Sequence, residues 1–358
     1  MTAPTFLTGA SGFVGLALVE HLLARGESVT GFDLAPPPEA ALRAFASLPG
    51  TFVFEAGDVR DEAVLRAAMQ RHAPRALVTL AAVTADAARE RASPASILEV
   101  NLGGLVAALS AGIACGIERV VHASSGAAYG ASGDGADLLR EDTTPLRPEG
   151  LYGITKQAGE AIARRMAALH GLDLTVARLG TCFGPWERDT GVRDTPSAPL
   201  QILRRAERGE PVVLPRPSRR DWLYVRDCAG GLAALLDRRR LPHATYNVAT
   251  GRECSLVDLC RTLAALRPGF DWRLRDESEP EAAANVALYA RYDRASMDVS
   301  RLRSDTGFVP RFDLPAAMRD FVDWRRLYGD ATPTPGPAAA PTCTPTTPTA
   351  APAPHADR

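Results

Sequence analysis

Tyr152 and Lys156 stand four residues apart in the run Tyr152-Gly153-Ile154-Thr155-Lys156. On a helix, positions i and i+4 share a face, so this spacing would put an ammonium beside a phenol. A free tyrosine titrates near pH ~10 and is a poor base at neutral pH. A neighbouring cation stabilises the phenolate and moves it toward the working range. Ser124 and Ser125 close the apolar run Val120-Val121-His122-Ala123. At the carboxyl end of a strand, where doubly wound sheets bind ligands, Ser125 can hydrogen-bond an oxygen that trades its proton with Tyr152.

A second constellation is Thr8-Gly9-Ala10-Ser11-Gly12-Phe13-Val14-Gly15. It follows an apolar run and opens a helical pattern. Glycine there permits a tight turn, a backbone approach to a pyrophosphate and close helix–strand packing. The diphosphate would sit on the free N–H groups of the helix N-terminus. Asp33 lies 18 residues beyond Gly15, at the end of the next strand. A carboxylate there accepts from both adenosine ribose hydroxyls and repels a 2′-phosphate, which favours NAD over NADP. Asp58, in Gly57-Asp58-Val59 after a third strand, could hydrogen-bond the adenine amino group.

These residues need a frame. Strands are expected at Thr5–Thr8, Ser28–Phe32, Thr51–Glu55, Ala76–Ala81, Val120–Ala123 and Leu174–Leu179. Helices are expected at Phe13–Ala24, Asp61–His72, Ser93–Ala111 and Leu151–His170. Such alternation predicts right-handed βαβ crossovers and an α/β, Rossmann-type doubly wound parallel sheet. The expected division is a NAD-binding domain over 1–183 and a smaller, mainly substrate-binding lobe over 184–330. One strand of that lobe, Thr245–Val248, could return to the sheet. Residues 331–358, rich in Pro, Thr and Ala, read as a disordered tail.

Lys+Arg number 41 against Asp+Glu 42, for a net charge of −1, so the basic excess of a nucleic-acid binder is missing. No stretch approaches the roughly 18 uninterrupted apolar residues of a membrane span. The start carries no secretory pattern. Six cysteines show neither CxxC nor metal-ligand spacing, and His21, His72, His122 and His170 show none either. The expectation is a cytoplasmic enzyme with a small-molecule substrate and no nucleic-acid, membrane or metal partner.

The motifs Gly9-x-x-Gly12-x-x-Gly15, Asp33, Gly57-Asp58, Leu80-Ala81-Ala82, Ser124-Ser125-x-x-x-Tyr129-Gly130 and Tyr152-x-x-x-Lys156 together resemble the extended short-chain dehydrogenases/reductases. More narrowly they resemble the NAD-dependent epimerase/dehydratase family. The likeness continues in Arg178-Leu179-x-x-x-Phe183-Gly184-Pro185, Arg220-Asp221-Trp222-Leu223-Tyr224-Val225-x-Asp227, Tyr246-Asn247-Val248 and Asp298-Val299-Ser300-Arg301. The resemblance implies a catalytic Ser125, Tyr152 and Lys156. It implies a cofactor site of Gly9, Ser11, Gly12, Phe13, Val14, Gly15, Asp33, Asp58, Val59, Leu80, Ala81 and Ala82, with Asn101 in support. Tyr152 and Lys156 would also touch the cofactor. Thr84, Ser124, Ser125, Thr181, Arg193 and Arg220 would face the substrate. It also implies a homodimer paired through the helices at Ser93–Ala111 and Leu151–His170.

Relatives oxidise a secondary alcohol with NAD and then diverge. Gly126, Ala127 and Ala128 follow Ser125, so the acid pair of dehydratases is missing, as is the decarboxylase glutamate. Elimination needs a positioned acid and base. That leaves simple hydride chemistry, epimerase or dehydrogenase, and the whole-chain resemblance favours an epimerase of a sugar or nucleotide sugar. The alternatives are a dehydrogenase of a free sugar or hydroxy acid and, in another class, a non-catalytic NAD sensor. Thr181 replaces a usual asparagine, and the usual Arg-Pro-Gly-Asp before Asp298 is not recognisable. Arg193, Arg220, Arg291 or Arg294 could supply clamps for phosphate or carboxylate. Trp186–Asp194 reads as a specificity loop.

Overall fold

The computed structural model describes residues 3–329; the tail expected over 331–358 lies outside the described residues. β1 (Thr5–Thr8) is buried along its whole length. Its side chains alternate as a strand requires. Phe6 belongs to one buried cluster with Leu65, Leu77 and Leu109, and Leu7 to another with Leu18, Val78 and Leu232. Both faces of the strand are therefore clothed by helices.

After β1 come α1 (Phe13–Ala24), β2 (Ser28–Asp33), α2 (Glu39–Ala46), β3 (Thr51–Ala56), α3 (Glu62–His72) and β4 (Ala76–Thr79). Next are α4 (Ala87–Ala92), α5 (Pro94–Leu98), a π-helical turn (Glu99–Gly103), α6 (Gly104–Ala114), β5 (Arg119–Ser125), α7 (Leu151–His170) and β6 (Asp173–Leu179). The remainder contains β7 (Thr181–Phe183), α8 (Ala198–Glu207), β8 (Val212–Leu214), β9 (Trp222–Tyr224), α9 (Val225–Leu236) and β10 (Thr245–Val248). It ends with α10 (Leu256–Leu266), β11 (Trp272–Leu274), α11 (Ser300–Thr306) and α12 (Leu314–Tyr328).

The main sheet has the order β3-β2-β1-β4-β5-β6-β10, and every pair in it is parallel. The chain works outward from β1 to β3 and then crosses to β4 on the other side of β1. Loops after β1 and β4 therefore part in opposite directions and leave a crevice at their carboxyl ends. Two small parallel pairs, β7 with β9 and β8 with β11, build the wall beyond it.

The spans Phe13–Ala24, Leu151–His170 and Thr245–Val248 fall where the sequence puts them. β4 stops at Thr79, two residues short of expectation. The chain turns there because Ala81 backs onto the glycine turn: a Cβ on Gly9 would come within 2.6 Å of the Ala81 nitrogen. The helix expected from Ser93 runs to Ala114 and is interrupted by the π turn that carries Asn101. By length and composition Pro94–Ala114 could cross a membrane, but Leu105, Ala108, Leu109 and Ala111 are buried against the sheet's helical layer. α2 was not foreseen, although Ala40, Ala41 and Phe45 recur at helical spacing and are buried.

Candidate active site

The crevice is a cavity of about 370 Å³. The first turn of α1 forms part of its wall. Gly12 caps that helix without a side-chain hydrogen bond, and no acidic residue stands in the first turn. The leading N–H groups of a helix have no partner within it, so those of Phe13 and Val14 are available to an anion in the cavity. Gly9 takes φ +73°, and a Cβ on Gly15 would overlap the Gly9 carbonyl oxygen. On Gly12 a Cβ would meet only that same oxygen, at 3.2 Å. The turn is thus a cradle open to close approach, and it fits a dinucleotide diphosphate.

Asp33 accepts the Ser11 N–H at 3.0 Å and the Leu34 N–H at 2.8 Å, and Ser11 Oγ donates to the Ala35 carbonyl at 2.7 Å. The carboxylate braces the turn and retains lone pairs for ribose hydroxyls. Burial pushes its pKa up; the two N–H groups and the Arg188 charge pull it down. Asp58 is more committed. Arg60 Nε lies 3.0 Å from each of its oxygens, which lowers its pKa, and Arg60 Nη1 reaches on to Glu99 at 3.1 Å. An adenine amino group would share that carboxylate with Arg60. Val59 lies outside the cavity lining and packs where a Cβ on Gly104 would strike it. Leu80 and Ala82 line the cavity, and Ala81 supports Gly9 from behind. Asn101 is buried beneath them. Its Oδ1 accepts the Val83 N–H at 2.7 Å, and its Nδ2 donates to the Val83 carbonyl and Thr155 Oγ1, both at 3.0 Å. It ties the loop after β4 to α7.

On α7, Lys156 Nζ lies 5.8 Å from the centre of the Tyr152 ring and donates to the Ala123 carbonyl at 2.8 Å. Burial pushes the lysine pKa down to about 8, with Glu160 opposing. Burial also pushes the Tyr152 phenol up. Hydrogen bonding by Ser125, the charge of Arg193 and hydrogen bonding by Thr84 pull it back toward ionisation. The cation that bears on the hydroxyl is therefore Arg193, which the Tyr–Lys spacing does not reveal. Thr84 is held by its N–H on the Val192 carbonyl at 2.7 Å and by a parallel bridge to Arg193. Ser125 Oγ accepts the Ala127 N–H at 3.1 Å. Ser124 lines the cavity, but its hydroxyl donates to Glu160 Oε1 at 2.6 Å. Glu160 in turn receives Arg178 Nε at 2.8 Å and Nη2 at 2.7 Å. The Ser124 hydroxyl thus braces α7 against β5, as Arg178 does against β6, and is not free for a substrate.

Lys156 is also the only lysine in a chain whose lysines and arginines total 41. Every other basic chain is arginine, which stays protonated in proteins. A site that needs a titratable amine is thus marked by composition alone, a signal the motif spacing does not use.

The opposite wall is built from residues after Gly184. Arg193 stacks over Phe13 and Tyr289, 5.8 and 5.6 Å from the ring centres. It donates to Tyr289 Oη at 2.8 Å and to Glu187 at 3.0 Å. Glu187 is buried and accepts the Ser197 N–H at 2.7 Å and its hydroxyl at 2.6 Å. Arg220 is 4% exposed and its Nη2 has no partner. Burial and the charges of Arg294 and Arg216 push its pKa down to about 10. Arg294 also lines the cavity and keeps an unpartnered Nε. Arg216 holds the segment between them, donating to the Ala290 and Tyr292 carbonyls at 3.0 and 2.8 Å and pairing with Asp293. Thr181 lines the cavity from β7, while Arg291 is exposed and does not. Arg294, offered by the sequence as a clamp, does line the cavity, whereas Arg188 and Tyr289, which line it too, had no motif to announce them.

The model of the NAD dependent epimerase/dehydratase family matches residues 5–249. The chain belongs to that family. It is an NAD-dependent enzyme with the Rossmann-type fold of the family's solved structures. Among curated relatives, the dTDP-glucose 4,6-dehydratase of Xanthomonas campestris pv. campestris is 26% identical over 338 residues, 90% of this chain and 93% of its own length. The UDP-glucuronate 4-epimerase 1 of Arabidopsis thaliana is 27% identical over 348 residues, 90% of this chain and 76% of its own. MoeE5, solved with UDP-glucuronic acid and NAD, matches with a TM-score of 0.72 at 27% identity, over 90% of this chain and 99% of that one. The same values describe the match to the Thermus thermophilus UDP-glucose 4-epimerase solved with NAD.

Proposed function

We propose that this enzyme inverts a secondary carbinol of a nucleotide sugar. One observation carries the reading: the Ser125–Tyr152–Lys156 trio shares its cavity with the buried Arg220 and the half-buried Arg294, each of which keeps a sealed, unpartnered guanidinium nitrogen. Buried cations of this kind are costly until an anion joins them, and guanidinium pairs suit a diphosphate. UDP-sugars bound or named in several of the matched relatives support the same reading.

NAD, when bound on the glycine turn and Asp33, supplies the acceptor of hydride. The chain supplies the rest. Ser125 orients the substrate hydroxyl, and Tyr152 removes its proton as the carbon is oxidised. Lys156 keeps an ammonium against the phenol ring, and Arg193 favours the phenolate. With the hydride given back to the opposite face of the turned sugar, return of the proton from Tyr152 would complete the epimer. Elimination lacks its groups. Small residues follow Ser125, and the cavity's carboxylates are engaged: Glu90 accepts the Leu151 N–H at 2.6 Å, Glu149 pairs with the Tyr292 hydroxyl, and Glu187 binds Ser197.

The test is incubation with UDP-glucose, UDP-glucuronic acid and dTDP-glucose while following both reduced-cofactor absorbance and sugar configuration. Inversion without net absorbance growth is expected. Stoichiometric growth of reduced cofactor would instead establish the dehydrogenase, and silence of both signals with every sugar would favour the sensor. The reading includes a division of labour between residues 1–183 and 184–330, a cytoplasmic location supported by five unpaired thiols among the described residues, and a homodimer. Exposed Leu98, Val106 and Ile154 on the two helical segments support the pairing; a monomer in sedimentation would refute it.

A further inference from the structure

Arg188 serves neither wall described so far. It follows Trp186 and Glu187, two residues pinned on different sides. Trp186 adopts a left-handed backbone, φ +68°, a strained state that persists only where packing over-determines it. Its ring meets Trp324 edge-on at 5.0 Å and Phe45 at 6.3 Å, and its Nε1 donates to Glu20 at 2.9 Å. Glu187 turns inward to Ser197. With those two fixed, the Arg188 side chain is delivered to the glycine turn, where Nη2 donates to the Ser11 carbonyl at 2.8 Å. It lines the cavity, and its Nε is sealed from solvent without a partner. Asp33 attracts its charge. Yet its one hydrogen bond among the described residues is to the Ser11 carbonyl, and it forms no ion pair there with Asp33 or any other acid. A half-buried guanidinium with one carbonyl, one sealed orphan donor and an uncapped helix N-terminus beside it lacks an anion.

Resting on the NAD-enzyme reading, we propose that Arg188 closes over the cofactor and donates to a phosphate of its adenosine half, so that the loop after Gly184 locks the dinucleotide in place. The same loop carries Arg193 into the cavity that Tyr152 lines, so a retained cofactor and an assembled proton-transfer site come together. An epimerase needs such a lock, because one cofactor serves successive turnovers and its escape in reduced form would end the cycle.

The experiment measures dissociation constants of NAD, ADP and adenosine, without sugar, for wild type, Arg188→Met and Arg188→Lys. Arg188→Met should weaken NAD and ADP at least about tenfold and leave adenosine within about twofold, and Arg188→Lys should recover part of the loss. NAD affinity within about twofold of wild type in Arg188→Met overturns the proposal. Equal losses for ADP and adenosine, or a lowered melting temperature of the NAD-free variant with weak adenosine binding, overturn it too, because Arg188 would then only shape the turn at Ser11. Those outcomes sink this inference alone; a wild type that binds no NAD sinks the enzyme reading with it.

Discussion

The two walls of the cavity bind with different parts of the chain. Before Gly184 the donors are backbone: the N–H groups at the head of α1, presented by a turn in which Gly9 and Gly15 have no room for a side chain. After Gly184 the donors are guanidiniums on long side chains, brought from residues 188, 193, 220 and 294. A backbone site is specified by local dihedrals and close approaches, so one short motif encodes it. A side-chain site is specified by how distant loops pack. Arg220 depends on a bridge to Cys254, and Arg294 on Arg216 holding the segment at 290–293. The first kind is rigid and general for dinucleotides, whereas the second can be altered residue by residue to choose a substrate.

That contrast can be broken by substitution. Tyr152, between the walls, should matter most: Tyr152→Phe should lower kcat by about a thousandfold, the scale of general acid–base catalysis, without changing NAD content. Undiminished turnover would dismiss the phenol as the proton acceptor. Gly15→Ala puts a Cβ onto the Gly9 carbonyl, so NAD affinity should fall about a hundredfold or more, together with stability. Cofactor binding that survives this change would mean the turn is not the cradle. Arg220→Met should raise KM for a nucleotide sugar by about ten- to a hundredfold while NAD binding holds, and cofactor loss of the same size would erase the distinction between the walls.

The smallest effect is a titration. The Lys156 pKa sits at about 8, below the ordinary lysine value, because burial penalises the ammonium. Above about 8 the folded chain loses this proton while the unfolded chain still holds it, so this group's contribution to stability rises with pH up to the ordinary lysine range. Activity that relies on the ammonium should fall over the same interval. Since the chain has one lysine, nitrogen-15 lysine labelling gives one side-chain resonance; a midpoint near pH ~10.4, the value of a free lysine, would contradict the burial argument.

The parts of this molecule that could be read in advance are those fixed within a few residues. The glycine turn, Asp33 at the end of β2, and the shared face of Tyr152 and Lys156 follow from helix and strand periodicity. β10 could be anticipated because Thr245–Val248 is a short buried run with Tyr and Val. Other features depend on meetings that spacing does not record. The sequence puts Ser124 at the substrate, but its hydroxyl is taken by Glu160, which Arg178 holds in place. Asp58 carries Arg60, only two residues away, yet the pairing depends on the turn after β3. Arg193 enters the cavity beside Tyr152's hydrogen-bonding neighbour Thr84 because the two segments form a bridge there, 109 residues apart in sequence.

The solitary amine at position 156 concentrates a chemical vulnerability. Activated esters and other amine-acylating agents spare guanidinium groups under conditions in which they consume lysine. Amide formation on this protein's side-chain amines would therefore fall on one buried nitrogen that has lost part of its proton near neutrality and is more nucleophilic for it. A ligand seated in the crevice would shield that nitrogen, so occupancy would govern how long the enzyme survives chemical ageing.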